Sequence, residues 1–273
     1  MTELAPQQEY PRRIMTFMRR SSAFTVSQQK GIDEYGEYYL LDPQNQRFDP
    51  QAVFGRVAPL TVEIGFGMGF SLIDMALAAP ERDFIGIEIH PNGLAQICFE
   101  AGERKLTNLR VIDGDALLML ENYFSNESID TVQLYFADPW PKKKHHKRRF
   151  VQTHNMQLIR QKLKAGGVFH AATDWEHYAH WMLEILEQSE GFKNLTGKGQ
   201  FAPRPAYRPL TKFEVRGQNL GHGVWDVLLF MFIGMAFFKM GILTGQAPTK
   251  VYWGLFVIGL GCGLTFSYYR LQP

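Results

Sequence analysis

The clearest chemistry in the first half of the chain belongs to a glycine-rich stretch and the acid just before it. Glu63 precedes Gly65, Gly67 and Gly69 in the run Glu-Ile-Gly-Phe-Gly-Met-Gly, which follows an apolar segment. Glycines at this spacing let the backbone turn tightly and approach a ligand closely. An ordinary turn between a strand and a helix is the alternative, and this run alone does not exclude it.

Two further acids follow the next two apolar segments. Glu88 ends the run Gly-Ile-Glu, where a carboxylate can accept both hydroxyls of a ribose, and Asp115 can receive an adenine amino group. The spacing Gly-x-Gly-x-Gly differs from the Gly-x-Gly-x-x-Gly fingerprint of NAD, and the charge of Glu63 would be unfavourable beside a pyrophosphate. The three acids together favour S-adenosylmethionine, whose amino-acid end is cationic.

The most distinctive local signal is the segment from Ala137 to Arg149, which reads Ala-Asp-Pro-Trp-Pro-Lys-Lys-Lys-His-His-Lys-Arg-Arg. Its prolines stiffen a loop, Asp138 can hydrogen-bond the edge of a base, and Trp140 offers a ring for packing. Six of the eight residues from Lys142 onward are Lys or Arg. Such a run is usually a solvated face, but its position directly after a candidate catalytic loop favours phosphate binding.

Alternating strands and helices must hold these residues in place. The apolar runs predict strands at Leu60–Ile64, Phe84–Ile89, Leu109–Ile112, Thr131–Phe136 and Val168–Ala172. The stretches between them predict helices at Ser71–Ala79, at Asn92–Lys105, from Ala116, and at Arg149–Lys164, and Thr25 to Gln28 fits a capping box. This rhythm is typical of a doubly wound, mostly parallel α/β sheet, in which ligands sit beyond the carboxyl ends of the strands.

The motifs resemble the bacterial tRNA (guanine-46-N7)-methyltransferase family over about residues 10–230. The matching segments are Glu63–Gly69, Gly86–Glu88, Asp115, Asp138–Lys143, His145–Arg149, Thr173–Trp175, Arg208–Glu214 and Arg216–Asp226. The resemblance implies a Rossmann-like class I methyltransferase domain at residues 56–230, which uses S-adenosylmethionine to methylate N7 of a guanosine in the tRNA variable loop. A membrane-tethered RNA-binding protein with a degenerate methyltransferase-like domain is the alternative.

Site residues are implied by their positions in the matching motifs. The cofactor set, taken with the loop glycines, is Glu63, Gly65, Gly67, Glu88, Asp115 and Asp138, and Asp138 is also the expected catalytic residue. The set for the guanosine is Lys142, Asp174, Thr211, Lys212, Phe213 and Glu214. The set for the RNA is Lys144, His145, His146, Lys147, Arg148 and Arg149. No metal is expected, and without the resemblance Asp174 would be interpreted as the N-cap of a helix.

The C-terminal tail differs in composition from the rest of the chain. From Val227 to Pro273 there is no acidic residue, and Val251–Tyr269 is an uncharged, mostly apolar run of membrane-spanning length. Residues 231–273 are therefore predicted to form an apolar helical hairpin, and they also resemble an uncharacterised family of bacterial membrane proteins. Three interpretations stay open: a membrane hairpin, a buried or self-associating hairpin, and an accidental fusion without function. Val227–Phe230 is either the closing strand or the start of the tail.

Bulk composition limits the remaining possibilities. The 273 residues suffice for one large α/β domain behind a polar N-terminal arm, residues 1–55, which is either solvated or in contact with RNA. The net charge is only +2, so RNA binding must rely on local clusters. The two cysteines lack metal-ligand spacing, and no apolar N-terminal segment predicts secretion. We expect a cytoplasmic catalytic domain, attached to the inner face of the membrane if the tail inserts, and the oligomeric state stays open.

Overall fold

A computed structural model describes residues 14–18, 22–43, 46–211, 214–215, 223–231, 248–250 and 253. The chain divides into two compact units, Met1–Met231 and Phe232–Pro273. The strands of the first unit are β1 Leu40–Leu41, β2 Leu60–Ile64, β3 Asp83–Glu88, β4 Leu109–Asp113, β5 Ile129–Tyr135, β6 Leu163–Thr173, β7 Phe192–Asn194 and β8 Trp225–Met231. They form one eight-stranded sheet in the order β1-β4-β3-β2-β5-β6-β8-β7.

Helices connect most of these strands. They are α1 Val26–Tyr39, α2 Pro50–Phe54, α3 Phe70–Ala78, α4 Pro91–Glu103, α5 Ala116–Asn122, α6 Thr153–Lys162 and α7 Glu176–Gln188, with a 3₁₀ helix at Lys143–Arg148. The predicted capping box is present, because the Thr25 side chain accepts from the amide of Gln28 and the Gln28 side chain accepts from the amide of Thr25. Each cap satisfies a backbone donor that the first helical turn leaves unpaired.

The sheet is mostly parallel, as the alternation of strands and helices predicts. Strands β1 to β6 pair in parallel, whereas β8 pairs antiparallel with both β6 and β7. Strand β8, the last strand that the structure describes, therefore lies inside the sheet and not at its edge. Because all strands from β2 to β6 run in one direction, their carboxyl ends meet at one edge of the sheet, where the sequence places the candidate site residues.

Apolar side chains cover both faces of the sheet. Val62 and Ile85 belong to one buried cluster, and Phe84 and Val111 belong to a second cluster, which is consistent with strand residues alternating between faces. The second face also carries buried polar groups. Glu63 is in register with Gln133, and Gln133 with His170, so three polar side chains form a row across neighbouring strands.

The structure differs from the sequence predictions in three places. The helix expected at Arg149–Lys164 begins only at Thr153, because the 3₁₀ helix and an extended connection precede it. Asp174 is not a helix N-cap, since helix α7 has Trp175 at that position without a side-chain cap bond. Val227–Phe230 belongs to β8, so it is the closing strand and not the start of a tail helix.

The predicted hairpin at residues 231–273 lies outside the described residues, apart from Met231, residues 248–250 and residue 253. Within the part of the chain that the structure describes, no helix has the length and apolar character needed to cross a membrane.

Candidate active site

The glycine loop after β2 leaves open space above its backbone. Gly65 and Gly67 adopt φ of +69° and +61°, and a Cβ atom added to either would meet nothing within 4 Å. Gly93 in helix α4 has the opposite constraint, because its added Cβ would lie 2.1 Å from the carbonyl oxygen of Gly67. The helix thus packs directly on the loop and supports it from one side, while the other side can receive a ligand.

Glu88, the last residue of β3, ties this loop to the neighbouring strand end. Its Oε2 accepts from the amide of Gly67 at 2.8 Å, and its Oε1 accepts from the amides of Ile89 at 2.7 Å and His90 at 3.1 Å. A carboxylate has about four acceptor positions, so the group that shapes the loop can also accept donors from a ligand. The side chain lies where the ribose hydroxyls are expected.

Glu63 is buried and only partly satisfied. It is 2% exposed, and its Oε2 has no hydrogen-bond partner. Burial, followed by the charge of Glu88, raises the pKa of Glu63 to about 8, while a hydrogen bond with Ser71 acts the other way. A buried carboxylate in this state is costly until a cation pairs with it. The group therefore fits a ligand that brings an ammonium to the end of β2.

Asp115 completes the set of acids on this side of the sheet. It is buried and caps helix α5, because its Oδ1 accepts from the amide of Leu117 at 2.9 Å. Strands β2, β3 and β4 are neighbours in the sheet, so Glu63, Glu88 and Asp115 follow one another along its carboxyl edge. This order matches the amino-acid, ribose and adenine parts of S-adenosylmethionine.

Asp138 lies in the loop after β5, which is the neighbour of β2 on the other side. Its side chain is exposed, whereas Asp174, after the adjacent β6, is half-buried. The loop is conformationally constrained, since Phe136 and Trp140 adopt φ of +52° and +44°. The amide of Phe136 donates to the carbonyl of Ala172 at 2.8 Å, which joins the ends of the two strands. Two acids are thus presented beside the cofactor loop.

The basic run that follows is divided between surface and interior. Lys142, Lys143, Lys144 and Lys147 are exposed, while His145 and His146 are half-buried. Arg149 is fully buried, and its Nε donates to the carbonyl of Pro139 at 2.9 Å. The expectation that Arg149 contacts RNA at the surface is therefore corrected: its guanidinium holds the candidate catalytic loop from within.

An N-terminal segment, residues 14–18, is docked on the same loop. Trp140 Nε1 donates to the carbonyl of Thr16 at 3.1 Å. Arg148 stacks 3.8 Å from the centre of the Trp140 ring and donates to the carbonyls of Met15 and Phe17 at 3.0 and 2.9 Å. The resemblance implies that Arg148 contacts RNA. Much of its hydrogen-bonding capacity is instead used by these carbonyls of the chain. This part of the arm is bound to the protein surface beside Asp138 and is not simply solvated.

The segment expected to hold the guanosine is only partly described, since Lys212 and Phe213 lie outside the described residues. Thr211 Oγ1 accepts from the amide of Glu214 at 3.1 Å, which closes a tight turn. Glu214 is 3% exposed, and Arg208 donates to both of its carboxylate oxygens. The carboxylate of Glu214 is thus held in a buried ion pair, and its contact with the guanosine stays a prediction.

Comparison with known proteins identifies the family of the chain. A protein-family model described as "Putative methyltransferase" matches residues 57–227. A tRNA (guanine-N(7)-)-methyltransferase of Pseudomonas putida is 50% identical over 216 residues, which cover 79% of this chain and 90% of that protein. The protein of that name from Psychromonas ingrahamii is 51% identical over 220 residues, which cover 81% and 90%. The chain belongs to the tRNA (guanine-N7)-methyltransferase family.

A solved structure supports the fold of this family member. The 16S rRNA methyltransferase KamB superposes with a TM-score of 0.50 at 13% sequence identity, over 67% of this chain and 92% of that chain. At this identity the likeness concerns the fold alone, and it confirms the predicted Rossmann-like architecture. The family match ends at residue 227, so it gives no support to the resemblance between the tail and a membrane-protein family.

The sequence analysis assigned no role to three buried polar side chains on the acceptor side of the site. Arg208, Asp226 and His170 form one hydrogen-bonded cluster behind the Thr211 turn. Arg208 and Asp226 both lie in segments that carry the family resemblance, so a signal was present without an assigned role. No sequence motif singles out His170, because its hydrogen-bond partners are brought to it by the pairing of strands that are distant in the sequence.

Proposed function

We propose that this chain transfers the methyl group of S-adenosylmethionine to N7 of guanosine 46 in the tRNA variable loop. The observation that carries the proposal is the placement of two acids at the carboxyl ends of neighbouring strands: Glu63 near the end of β2, buried with an unpartnered oxygen, and Asp138 in the loop after β5, exposed. A cofactor ammonium satisfies the first acid, and a base entering from solvent meets the second. Relatives that bear the name tRNA (guanine-N(7)-)-methyltransferase share about half of their residues with this chain.

The cofactor-side residues bind and orient. Glu63 pairs with the ammonium of the amino-acid part, Glu88 accepts from the ribose hydroxyls, and Asp115 accepts from the adenine amino group. Gly65 and Gly67 let the backbone approach closely. When bound, S-adenosylmethionine supplies a methyl sulfonium, which is already an activated electrophile.

The acceptor-side residues have little proton transfer to perform. Guanine N7 carries a lone pair at neutral pH, so no strong general base is required. The enzyme must align N7 with the methyl carbon and sulfur and exclude competing nucleophiles. Asp138 stabilises the positive charge that develops on the imidazole half of the purine. Asp174 accepts from the N1 and N2 hydrogens of the guanine, and Lys142 and the Thr211 turn complete the pocket.

The exposed lysines of the basic run supply affinity for the RNA backbone. Lys142, Lys143, Lys144 and Lys147 extend from the loop that carries Asp138. Phosphate contacts of this kind are independent of sequence and position the substrate. His145 and His146 stand in the same turn, and neighbouring positive charges contribute, after burial, to lowering the pKa of His145. His145 is therefore neutral at pH 7 and serves as a hydrogen-bonding group.

The test is incubation of the protein with radiolabelled S-adenosylmethionine and unmodified tRNA, followed by nucleoside analysis. We expect 7-methylguanosine as the labelled product, and no product from a matched tRNA with adenosine at position 46. A label on an exocyclic amine or a ribose would contradict the reaction. Equal labelling of both transcripts would contradict the position.

Attachment of the tail to a membrane is a separate proposal. Its support is the uncharged run Val251–Tyr269, which has the length of a membrane helix. Under this proposal the catalytic unit faces the cytosol, where tRNA is found, and Arg270 follows the run on the side favoured by the positive-inside tendency. The full chain should resist extraction from membranes by carbonate, whereas a chain ending at Met231 should be released. Release of both would exclude insertion.

A further inference from the structure

Two buried oxygen atoms on neighbouring strands lack a hydrogen-bond donor. Glu63 in β2 and Gln133 in β5 are paired in register, and both are 2% exposed. Glu63 Oε2 and Gln133 Oε1 are buried without a hydrogen-bond partner among the described residues. An unpaired buried acceptor is costly, because it has lost its bonds to water. Two such atoms on side chains that are neighbours across the sheet point to a common cause.

The surroundings of Glu63 on the β3 side are apolar. Its partner in register there is Gly86, and a Cβ atom added to that glycine would lie 2.5 Å from Phe66 and 2.8 Å from Leu72. Those two side chains therefore cover this position. From helix α3, Ser71 forms a side-chain hydrogen bond with Glu63, which leaves Oε2 without a donor. A donor for this oxygen has to come from the β5 side or from a ligand.

On the β6 side, Gln133 lies beside a histidine whose ring nitrogens are both engaged. His170 is its partner in register. Nε2 of His170 lies 2.9 Å from Asp226 Oδ1, and Nδ1 lies 2.8 and 2.9 Å from two tyrosine hydroxyls. Neither nitrogen donates to Gln133 Oε1. Glu63 is therefore the polar neighbour in this row with which Gln133 can pair.

Other ionisable side chains near the pair do not neutralise Glu63. The charge of Glu88, at the end of β3, adds to the effect of burial and raises the pKa of Glu63 to about 8. Tyr135, the last residue of β5, is buried, and burial raises its pKa too. Arg82 donates to two threonine hydroxyls that lie two residues before the pair. No lysine or arginine among the described residues lowers the pKa of Glu63, so its carboxyl is mostly protonated at pH 7 in the cofactor-free protein.

A side-chain amide can serve both states of such an acid. A neutral carboxyl donates a hydrogen and needs an acceptor, whereas a carboxylate needs a donor. The amide of Gln133 offers an oxygen in one orientation and an N–H in the other, and rotation of the end group exchanges them. Neighbouring strands lie about 4.8 Å apart, and Glu and Gln side chains have equal length, so their ends come within reach of each other.

We propose that Gln133 is a positioning residue that acts on the cofactor ammonium through Glu63. In the cofactor-free protein the Gln133 oxygen accepts the carboxyl hydrogen of Glu63. When Glu63 pairs with the ammonium, its carboxyl releases the proton to solvent, the amide of Gln133 rotates, and an N–H holds the carboxylate in place. The inference rests on the cofactor part of the proposed function and is independent of which RNA base is methylated.

The test is isothermal titration of the wild type and Gln133→Met with two ligands at pH 7. S-adenosylhomocysteine carries the amino-acid part with its ammonium, whereas 5′-methylthioadenosine has the same adenosine without it. Gln133→Met keeps the size of the side chain and removes both hydrogen-bonding groups. It should bind S-adenosylhomocysteine roughly 10- to 100-fold more weakly, the range for losing a hydrogen bond to a charged group. Affinity for 5′-methylthioadenosine should stay within about twofold, because Glu88 and Asp115 are unchanged.

A matched control lies on the same strand and the same face. Thr131 is two residues before Gln133, and its hydroxyl accepts from Arg82 at 3.3 Å. Thr131→Val removes this buried contact and leaves the amide intact. Its affinity for S-adenosylhomocysteine should stay within about twofold of the wild type. A loss as large as that of Gln133→Met would mean that general damage to β5 weakens binding, and the proposal would fail.

A double-mutant cycle shows whether Gln133 acts through Glu63. Once Glu63→Gln has removed the carboxylate, Gln133 has no charge to hold. The double variant with Gln133→Met should therefore bind S-adenosylhomocysteine at most about threefold more weakly than Glu63→Gln alone. Multiplicative losses would mean that Gln133 contacts the ligand independently, which would overturn the positioning role.

A second variant answers the same question if Gln133→Met does not fold. Gln133→Glu places two carboxyls side by side, and a hydrogen-bonded pair shares one proton, so its first ionisation becomes easier. The pH below which affinity for S-adenosylhomocysteine falls should then move down by at least about one unit from that of the wild type. An unchanged pH dependence would mean that the two side chains are not in contact and would reject the proposal.

Failure of this inference and failure of the proposed function give different results. If the wild type does not bind S-adenosylhomocysteine, the cofactor part of the proposed function fails, and this inference fails with it. If the wild type binds and Gln133→Met binds equally well, only the role of Gln133 is rejected. A wild type that binds the cofactor with the expected dependence on Gln133, but forms no 7-methylguanosine, would contradict the reaction and leave this inference standing.

Discussion

The cofactor side and the acceptor side of the site place their acids in opposite environments. Glu63, Glu88 and Asp115 are buried at the ends of β2, β3 and β4, and the last two accept hydrogen bonds from the backbone amides that follow them. Asp138 is exposed and Asp174 is half-buried at the ends of β5 and β6. The first group is built for a small cation that becomes enclosed. The second must admit a nucleobase that is attached to a large RNA.

The two sides are also held together by different means. On the cofactor side, the loop after β2 is tied to the end of the neighbouring strand β3, as between Gly67 and Glu88. The acceptor side depends on contacts between distant segments, as between Arg148 and Met15. The cofactor loop is therefore held by the strand and helix next to it, whereas the loop after β5 is also held by a segment from the N-terminal arm. The predictions below test this difference, from the largest expected effect to the smallest.

The largest effect is expected at Asp138. Replacing it by asparagine keeps the shape and removes the charge that stabilises the transition state, so kcat should fall by about 10²-fold or more. Steady-state methylation of tRNA measures the change. Asp174→Asn is the matched control on the neighbouring strand, and it should act mainly on KM for tRNA because Asp174 grips the base before reaction. A near-wild-type kcat for Asp138→Asn would contradict the role.

The next effect concerns the ammonium site at Glu63. Glu63→Gln should weaken cofactor binding by roughly 10- to 100-fold, the range expected for losing a hydrogen bond to a charged group. Isothermal titration with S-adenosylhomocysteine measures this loss. The matched variant Asp83→Asn, which alters a buried acid at the opposite end of β3, should leave cofactor affinity unchanged.

The affinity of Glu63 for the ammonium should also depend on pH. Its pKa is raised to about 8, so lowering the pH below 8 protonates the carboxyl and removes the charge that the ammonium needs. Cofactor affinity in the wild type should fall as pH decreases from 8 to 6, by up to about tenfold per unit. Glu63→Gln should bind with an almost flat profile over this range. A flat profile in the wild type would mean that Glu63 is ionised throughout.

A smaller effect is expected from the exposed lysines. Replacing Lys144 and Lys147 by alanine should lower the slope of log affinity against log salt for tRNA by roughly one to two units. Arg149→Lys is the contrasting variant, because the buried guanidinium contacts Pro139 and not solvent. It should leave the slope unchanged while lowering thermal stability. Equal slopes for the wild type, the double alanine variant and Arg149→Lys would mean that the two lysines are solvated and do not contact phosphates.

The smallest effect is expected for the docked N-terminal segment. Trp140→Phe keeps a ring for Arg148 to stack on and removes the donor to Thr16, which is worth about 1 kcal/mol. Trypsin should then cleave more readily at Arg12–Arg13 and Arg19–Arg20, the arginine pairs that flank the segment in the sequence. Cofactor affinity should not change, because Trp140 and Arg148, which hold this segment, lie after β5 and not in the glycine loop. Unaltered cleavage would show that the hydrogen bond does not hold the segment.

The sequence predicted the cofactor side more completely than the acceptor side. The strand ends, the glycine loop and the order of the acids follow from local patterns, and the family and the mostly parallel sheet are confirmed. Composition reveals six positive side chains after Asp138 but not which of them face inward. Arg148 and Arg149 donate hydrogen bonds to backbone carbonyls of the chain, and Glu214 is paired with Arg208. Each of these partners is set by tertiary packing, which a one-dimensional pattern does not contain.

The inner position of β8 has a consequence for how the chain folds. Until Trp225–Met231 has been synthesised, β6 presents an unpaired edge and β7 has no neighbour to pair with. Unpaired edges are sites of aggregation, and domains assemble from the N-terminus as they are made. A nascent chain that stops short of Met231 would therefore be prone to aggregation, whereas a chain that extends to Met231 contains every strand of the described sheet.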